Sequence, residues 1–577
     1  MNPNAWRLPT RLAAAVISGA LLFCAFPPVD IGWIAFAAPV PFLLALRGAR
    51  GRSGFLIGLV FGGAFFGPLI WWISLFGFLP WGVLVAGQAL ALAIFGWFAA
   101  WASRRATGHI VAVPLMFVAV EILRTEFPFG GFAWGGAGYT QLDDLPLLPL
   151  ARIGGVHLVS LAIILIAGLV AQAIASGRIW RRTLAVVVAA GAVIGPMWLP
   201  LGLAGASRGS VDVALVQGNV PEGSFTGFAD RVSRTGPEDF TIIDNHIAAT
   251  EPLASDPPDL VVWPENSVDR DPFANPDIGL RLEEVIRNVG APFIVGAILQ
   301  PSSGEGFRNV NILYASDGRR VTTYDKMHLV PFGEYVPWPS LRRYIGDLQQ
   351  IPEDGIPGSE PVVFDVGAAR VGTVICFEST YPRHVRGFVD RGAELIVVTT
   401  NNASFRRSPA ARQHVQMSAM RAVEEGRWVL QAAISGITVV VAPDGTIVER
   451  TELFERAVVR RTIQRASGKT IYGRFGEPIE LGLLGLGAVA VIITMSRMVG
   501  GRRARRYEQA ELELWGAEDA LHQYVDRVEG RPIIPPSGIG PMGERTDDPP
   551  DPETGTPPPD PAVPPPGPSS SSEEDGV

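Results

Sequence analysis

The sequence contains few cysteines and histidines, which limits the metal and disulfide chemistry open to it. Two of its 577 residues are cysteine, Cys24 and Cys376, and its seven histidines show no ligand spacing. Two cysteines this far apart cannot form a structural zinc site, and a disulfide between an apolar segment and a distant strand is not expected. We therefore predict no metal site and no cofactor.

Charged residues are also scarce, since Asp, Glu, Lys and Arg make up 18% of the chain. The net charge of −8 reflects acids concentrated in a C-terminal tail, and the chain has no basic stripe. A nucleic-acid partner is therefore not expected. Hydrophobic residues make up 48% of the chain, and the mean hydropathy is +0.25. This composition excludes an ordinary soluble protein of this length and predicts a membrane protein.

Eight apolar runs have roughly the length that spans a membrane. The first run could be a signal peptide, but the runs that follow it at once favour a retained helix. The eight runs cover residues 12–28, 31–46, 55–76, 81–101, 110–123, 153–175, 184–203 and 479–495.

The distribution of arginine predicts how these helices are oriented. Arginines precede the first run and follow the second, fourth, sixth and eighth, whereas the alternate loops contain almost none. Because positively charged residues stay in the cytoplasm, both termini are predicted to be cytoplasmic. The long segment between the seventh and eighth runs is then extracytoplasmic.

Four parts of the chain follow from this pattern. A seven-helix bundle over 1–207 precedes an extracytoplasmic domain over 208–468, and an eighth helix over 476–499 precedes a cytoplasmic tail over 500–577. The tail begins with a short helical pattern and becomes a Pro-rich, acidic segment that is predicted to be disordered. Its residues do not identify the cytoplasmic partner that it could bind.

The segment between the seventh and eighth runs alternates short β-branched runs with helical patterns, which is typical of the α/β class. Its length is sufficient for one well-buried domain. The expected strands cover residues 211–217, 260–263, 292–299, 310–315, 362–366, 371–375, 395–399, 428–433 and 437–441, and the expected helices cover 239–250, 276–290, 382–391 and 410–426.

A strand-like run ends on Cys376, and Glu378 follows two residues later. The next residues, from Ser379 to Pro382, are typical of the start of a helix. The positive end of that helix would lower the pKa of the thiol and favour the thiolate. The alternative is a buried cysteine that packs as a small hydrophobic residue.

Two other strand-like runs lead to ionisable residues. Glu265 follows an apolar run, and Lys326 and Glu334 lie in a segment that follows another. Each residue alone is typical of a solvated surface charge. Together with Cys376, in this order within one domain, they form a more specific pattern.

Glu265, Lys326 and Cys376, with their flanking residues, resemble the catalytic triad of the nitrilase (carbon–nitrogen hydrolase) superfamily. The eight-helix frame and the segment His-Leu-Val-Pro-Phe-Gly-Glu-Tyr-Val-Pro resemble, more narrowly, the apolipoprotein N-acyltransferase family over residues 10–500. The resemblance implies an α-β-β-α sandwich carried by a multi-pass helical bundle in a bacterial cell membrane. It also implies a phospholipid as acyl donor and a diacylglyceryl apolipoprotein as acceptor.

The resemblance further implies a role for each residue of the pattern. Cys376 would be the nucleophile that forms a thioester, Glu265 the general base and Lys326 the cation beside the oxyanion. The backbone N–H of Phe377, where the family often has Tyr, would be a second oxyanion donor.

Two carboxylates and one loop complete the comparison with the family pattern. Glu334 and Glu378 match further carboxylates, which we expect to position Lys326 and the attacking amine. The chain departs from the pattern at Ser404 and Arg406, where the family usually has Trp and Gly.

Two other functions stay open from the sequence alone. The chain could be a membrane-tethered nitrilase-type amidase that acts on a small amide, or a non-catalytic lipoprotein-binding membrane protein. A Cys–His mechanism through His328, His384 or His414 is a further alternative.

A segment rich in aromatic residues and glycine, 127–139, also has two interpretations. It is either an aromatic belt at the membrane interface or a lipid-facing wall of the active site. Nearby, Glu121 and Arg124 lie at the end of a membrane run. They are either functional residues or a structural pair.

Overall fold

The computed structural model describes residues 3–142, 145–220, 240–302, 304–343 and 353–529. The chain divides into two compact units, Met1–Arg502 and Arg503–Val577. The first unit contains the apolar helices and the α/β domain. The Pro-rich, acidic segment for which disorder is predicted lies outside the described residues.

Seven α-helices precede the α/β domain in the part of the chain that is described before residue 205. Apolar residues with little charge favour helices here because a membrane offers the backbone no hydrogen-bonding partner. The helices are α1 Leu8–Cys24, α2 Pro39–Leu46, α3 Gly51–Leu69, α4 Phe78–Ala102, α5 Val113–Glu126, α6 Ala151–Ala175 and α7 Ile179–Ile194.

Six helical segments within the described residues are long and apolar enough to cross a membrane. The first two expected runs correspond instead to the shorter apolar helices Leu8–Cys24 and Gly32–Leu46, so a count of eight spans stays a prediction. The six segments are Gly51–Leu69, Phe78–Ala102, Gly108–Glu126, Leu148–Ala175, Ile179–Trp198 and Ile471–Gly500.

Small residues bring α3 and α4 close together. A Cβ atom at Gly54 would lie 2.3 Å from the carbonyl oxygen of Gly96, and one at Gly58 would lie 2.2 Å from that of Leu92. No side chain fits at either position. Such glycine contacts let helix backbones approach closely within a membrane.

The α/β domain contains two six-stranded sheets, with strand orders β12-β1-β2-β3-β4-β5 and β11-β10-β9-β8-β7-β6. In each sheet three central strands are parallel, β1-β2-β3 in the first and β7-β8-β9 in the second. The strands are β1 Ser207–Gln217, β2 Leu260–Val268, β3 Phe293–Leu299, β4 Arg308–Tyr314, β5 Arg320–Asp325, β6 Val363–Asp365, β7 Arg370–Ile375, β8 Leu395–Thr400, β9 Val429–Ala433, β10 Val439–Val441, β11 Ile447–Arg450 and β12 Ala457–Ala466.

Helices cover the outer face of each sheet, which gives the α-β-β-α sandwich that the resemblance implied. The helices α8 Thr241–Thr250 and α9 Pro276–Val289 pack on the first sheet, and α10 Pro382–Asp390 and α11 Ala410–Glu425 pack on the second. The two sheets are joined by a polar contact, since the Asn311 amide donates to Thr373 at 2.5 Å and accepts from Thr399 at 3.0 Å.

The last helix, α12 Ile471–Val528, begins directly after the α/β domain. The α/β domain also contacts the first seven helices through α11. The backbone N–H of Val156 in α6 donates to the Glu424 carboxylate of α11 at 2.8 Å. One end of the apolar bundle therefore carries the sandwich.

Candidate active site

Glu265 lies in a distorted part of β2. The pairing of β2 with β3 is irregular between Trp263 and Val268, so Glu265 leaves the regular ladder. Its backbone approaches β3 closely, because a Cβ atom at Gly296 would lie 2.7 Å from the Glu265 Cα. The residue is only 2% exposed. A bulge of this kind redirects a side chain into a site.

Lys326 follows β5 and points its ammonium at two carboxylates. Its Nζ lies 3.1 Å from Glu265 Oε1 and 2.8 Å from Glu334 Oε1. Asn309 donates to the same two oxygens at 2.7 and 3.0 Å, using both hydrogens of its amide. Burial alone would lower the pKa of Lys326, but the two carboxylates raise it above its ordinary value. The site therefore contains a fixed positive charge.

Cys376 begins a short 3-10 helix, Cys376–Thr380, directly after β7. Its φ angle of 54° lies in the left-handed region, which is uncommon for a residue other than glycine. Strained backbone of this kind often occurs at active sites. The hydroxyl of Thr400, at the end of β8, donates to the Cys376 sulfur at 3.2 Å.

The thiol of Cys376 is harder to ionise than the sequence predicts. Burial raises its pKa to about 12, and the negative charge of Glu265 adds to the rise, whereas Lys326 opposes it. The expected lowering by a helix start is therefore wrong. The expected helix, α10, begins only at Pro382, and the 3-10 helix that starts at Cys376 has five residues. Neither supplies enough dipole at the sulfur to offset the cost of a buried anion. Deprotonation of the resting thiol needs a base.

The structure brings Glu265, Lys326 and Cys376 together from strand ends of the two sheets. The backbone N–H of Asn401 follows β8 and donates to Glu265 Oε2 at 2.8 Å. The end of β8 therefore contacts both the thiol and the carboxylate. No sequence pattern marked Asn309 or Thr400, because each acts through neighbours that are distant in the chain.

The two supporting carboxylates lie in different places. Glu334 contacts Lys326 directly, and its other oxygen accepts the Val330 N–H at 2.8 Å. Glu378 instead accepts the backbone N–H groups of Met327 at 2.6 Å and Ile375 at 2.8 Å. Glu378 thereby ties the lysine loop to the end of the cysteine strand. Its pKa is lowered to about 2, since His384 and the backbone donors outweigh the effect of burial.

The three histidines contact groups other than the sulfur. His414 Nε2 lies 3.0 Å from the Cys376 carbonyl oxygen and 2.8 Å from the Ser379 hydroxyl. Burial lowers the pKa of His414 to about 4, so it is neutral at physiological pH. His328 stacks on Tyr381, and His384 lies 3.4 Å from Glu378. These contacts do not favour a Cys–His mechanism.

The aromatic segment 127–139 has an exposed part and a buried part, and both of its interpretations stay predictions. Phe127 is 73% exposed, whereas Trp134 is 5% exposed and stacks on Phe377 with ring centroids 6.4 Å apart. Arg124 donates to the Trp134 carbonyl oxygen at 2.6 Å, and Glu121 accepts the Ala137 N–H at 3.1 Å. Both charged residues therefore hold this segment against the cysteine turn.

Neither a metal cluster nor a disulfide is found in the described part of the chain. No group of three or more His, Cys, Asp or Glu residues there could hold a metal ion, and Cys24 and Cys376 are both free. The ionisable groups of the site in that part of the chain are carboxylates, an amine and a thiol.

Comparison with known proteins defines the class to which this site belongs. A model described as carbon-nitrogen hydrolase matches residues 212–471, which contain all three strand ends of the site. The α/β domain is therefore a carbon–nitrogen hydrolase domain, and it is joined to a bundle of apolar helices. A second model, the apolipoprotein N-acyltransferase N-terminal domain, matches residues 18–169.

Relatives identify the family. The chain is 31% identical to an apolipoprotein N-acyltransferase of Geobacter metallireducens, over 84% of this chain and 95% of the relative. It is 33% identical to one of Mycolicibacterium smegmatis, over 86% of each. The chain belongs to the apolipoprotein N-acyltransferase family. Among solved structures it is similar to a Nesterenkonia AN1 amidase from the nitrilase superfamily, at 19% identity over 44% of this chain and 92% of that chain, with a TM-score of 0.33.

Proposed function

We propose that this protein transfers a fatty acyl chain from a membrane phospholipid to the N-terminal amine of a lipoprotein. Cys376 would attack the ester carbonyl, and the lysophospholipid would leave with its alcohol protonated. The α-amine of a diacylglyceryl-cysteine would then attack the thioester and release the thiol. Two acyl transfers through a covalent intermediate replace one difficult step by two easier ones.

Each residue of the site has a place in this scheme. Glu265 takes the proton of the thiol and passes it to the leaving alcohol; it later takes the proton of the amine and returns it to the sulfur. Lys326 stabilises the oxyanion together with the Phe377 N–H. Glu334 positions Lys326. Glu378, which contacts the backbone on both sides of the site, positions the loops rather than the attacking amine.

The observation that carries the proposal is the buried contact between Lys326 and two carboxylates beside a cysteine in strained backbone. The pKa of about 12 leaves Cys376 protonated at rest, so that a neighbouring base has to act. Of the neighbouring charges, that of Glu265 raises this pKa most, which supports its role as that base. A lysine whose pKa is raised keeps its charge and favours oxyanion binding over proton transfer.

The position of the site also supports lipid substrates. An apolar cavity of about 610 Å³ lies where the bundle adjoins the loop after β8, and Trp71, Trp72 and Pro409 contribute to its lining. Apolar cavities of roughly 300–1,000 Å³ suit ligands with long hydrocarbon parts. Partial exclusion of water would let an amine compete with hydrolysis.

For the whole chain we propose eight membrane helices, with both termini cytoplasmic. The bundle would comprise 1–207 and 476–499, the extracytoplasmic domain 208–468 and the cytoplasmic tail 500–577. Arg47 supports this orientation. It donates to Gln172 at 2.7 Å at the end of α6 opposite the sandwich, as expected for a cytoplasmic loop.

Intact-mass spectrometry tests the first half of the reaction. Full-length protein incubated with phospholipid vesicles should gain one acyl mass that hydroxylamine removes, because hydroxylamine cleaves thioesters. The Cys376→Ala variant should gain none. An unmodified wild-type protein, or an adduct that survives in the variant, would exclude the proposed thioester.

A second assay separates the acyltransferase from the amidase. A synthetic diacylated lipopeptide should become acylated on its N-terminal amine when it is added to the acyl-enzyme. Release of free fatty acid without acylated lipopeptide, or of ammonia from a small amide, would favour hydrolysis instead. A blocked, N-acetylated lipopeptide is the matched control and should not react.

A further inference from the structure

The side chain of Gln413 joins the sandwich to three segments of the apolar bundle. Gln413 lies in α11 and is 2% exposed. Its Oε1 accepts the indole N–H of Trp72 at 3.0 Å and that of Trp134 at 2.7 Å. Its Nε2 donates to the carbonyl oxygens of Pro27 and Leu69, each at 3.1 Å.

These four partners fix both the identity and the orientation of the side chain. The two indoles can only donate, and the two carbonyl groups can only accept. A glutamate could accept from the indoles but would face the carbonyl groups with a second oxygen. Of the side chains of this length, only a neutral amide offers two acceptor positions and two donors.

The same turn of α11 also contacts the nucleophile. His414, the next residue, lies 3.0 Å from the Cys376 carbonyl oxygen. The Trp134 ring that donates to Gln413 is nearly parallel to the Phe377 ring, with an interplanar angle of 12°. The side chain that holds the bundle and the turn that carries the thiol are therefore directly connected.

We propose that Gln413 is a positioning residue that holds the Cys376 turn at a fixed place relative to the bundle, so that the sulfur meets acyl groups arriving from the bilayer. The inference rests on the proposed acyl transfer. Gln413 does not contact the thiol itself. Its loss should therefore impair the reaction with a membrane lipid far more than the reactivity of the thiol.

Two rates measured on the same protein distinguish this role from a general structural one. The first is formation of the hydroxylamine-sensitive adduct from vesicle phospholipid. The second is alkylation of Cys376 by iodoacetamide, a small reagent that reaches the thiol from water. Gln413→Leu should slow acylation about 10²-fold, as misplacement by about 1 Å can, and change alkylation less than about threefold.

Gln416→Leu is the matched control. Gln416 lies almost one turn further along α11 and also reaches the bundle. Its Nε2 donates to the Asp30 carboxylate at 2.9 Å, and this contact is exposed. Both rates should stay within about twofold of wild type, because exposed polar contacts contribute little.

A double-mutant cycle tests whether Trp134 acts through Gln413. Trp134→Phe keeps an aromatic ring but removes the indole N–H that donates to Gln413. It should slow acylation about tenfold in the wild-type background. In the Gln413→Leu background it should cost nothing further, because the acceptor is gone. This milder variant also tests the inference if Gln413→Leu fails to fold.

Three results would overturn the inference while the proposed function stands. The first is a wild-type rate of acylation in Gln413→Leu. The second is an equal loss in the rates of acylation and alkylation. The third is full additivity of the effects of Gln413→Leu and Trp134→Phe on acylation. Absence of any adduct on the wild-type protein would instead refute the proposed function itself, and the inference with it.

Discussion

Replacing Glu378 by glutamine should destabilise the fold by about 3 kcal/mol at neutral pH. The carboxylate is fully buried and accepts hydrogen bonds from the Tyr324 hydroxyl and from three backbone N–H groups. Its pKa is lowered from an ordinary 4.5 to about 2. At about 1.4 kcal/mol for each pKa unit, that difference corresponds to about 3 kcal/mol of stability.

The sign of the effect gives a pH dependence that a packing defect would not show. Because the folded state lowers the pKa of Glu378, its contribution is complete above about pH 4.5 and is lost as the pH falls towards 2. The gap in unfolding free energy between wild type and Glu378→Gln should therefore be largest at pH 7 and shrink towards pH 3.

Thermal unfolding of both proteins in one detergent, at several pH values, measures this gap. Glu283→Gln is the control, because Glu283 forms an exposed pair with Arg287 at 3.3 Å and should contribute less than about 1 kcal/mol. Equal melting temperatures of wild type and Glu378→Gln at pH 7 would refute the reasoning. So would a gap that stays constant below pH 4.5.

Four further predictions concern the nucleophile, the groups around it and the loop after β8. Arg406→Gly should raise stability by about 1–3 kcal/mol, measured as the melting temperature, because Arg406 has φ 51° and ψ −145°, where glycine is favoured. Glu265→Gln should speed alkylation of Cys376 at pH 9, since it removes the charge that raises the thiol pKa, yet slow acyl transfer at least about 10²-fold. Lys326→Met should slow both reactions, and slower acylation with unchanged alkylation would contradict the electrostatic role. Thr400→Val should slow alkylation modestly, because the hydroxyl favours the thiolate; an unchanged alkylation rate would show that this hydrogen bond is unimportant.

The sequence predicts the approximate meeting of the three ionisable groups but not their contacts. Glu265 and Cys376 follow predicted apolar runs, which lie in β2 and β7 of the structure, whereas Lys326 directly follows β5, a strand that the sequence did not predict. The strands β2 and β5 run in the same direction within one sheet, so their ends lie at the same edge. The third group comes from the other sheet. Nothing local specifies how two sheets stack.

Three strands at the sheet edges, β5, β11 and β12, were not predicted from the sequence, and the reason is physical. β12 contains Arg460 and Arg461, and several of its residues are exposed, so its apolar alternation is weak. It becomes a strand because β1 pairs with it, from Ser207 with Ala466 to Gln217 with Ala457. β5, which leads to Lys326, is similarly exposed over its first residues. Tertiary pairing decides such edges, and local propensity does not.

The thiol pKa was predicted in the wrong direction for a related reason. A helix start is a local feature that can be read from a sequence, and it favours an anion. Burial depends on the whole fold, and it disfavours an anion more strongly than a helix that begins several residues after Cys376 can compensate. Local electrostatic rules therefore identify the candidate nucleophile but not its resting charge.

Lys326 lies between two glutamates, so the general base has to be assigned from the effect of each carboxylate on the thiol. Lys326 and Asn309 bind Glu265 Oε1 and Glu334 Oε1 alike, and each carboxylate receives one further backbone N–H. Their hydrogen bonds therefore do not distinguish them. The thiol does, because Glu265 raises its pKa more than Glu334 does. A proton leaving Cys376 would thus pass to Glu265. Glu334 would hold Lys326 between the two carboxylates.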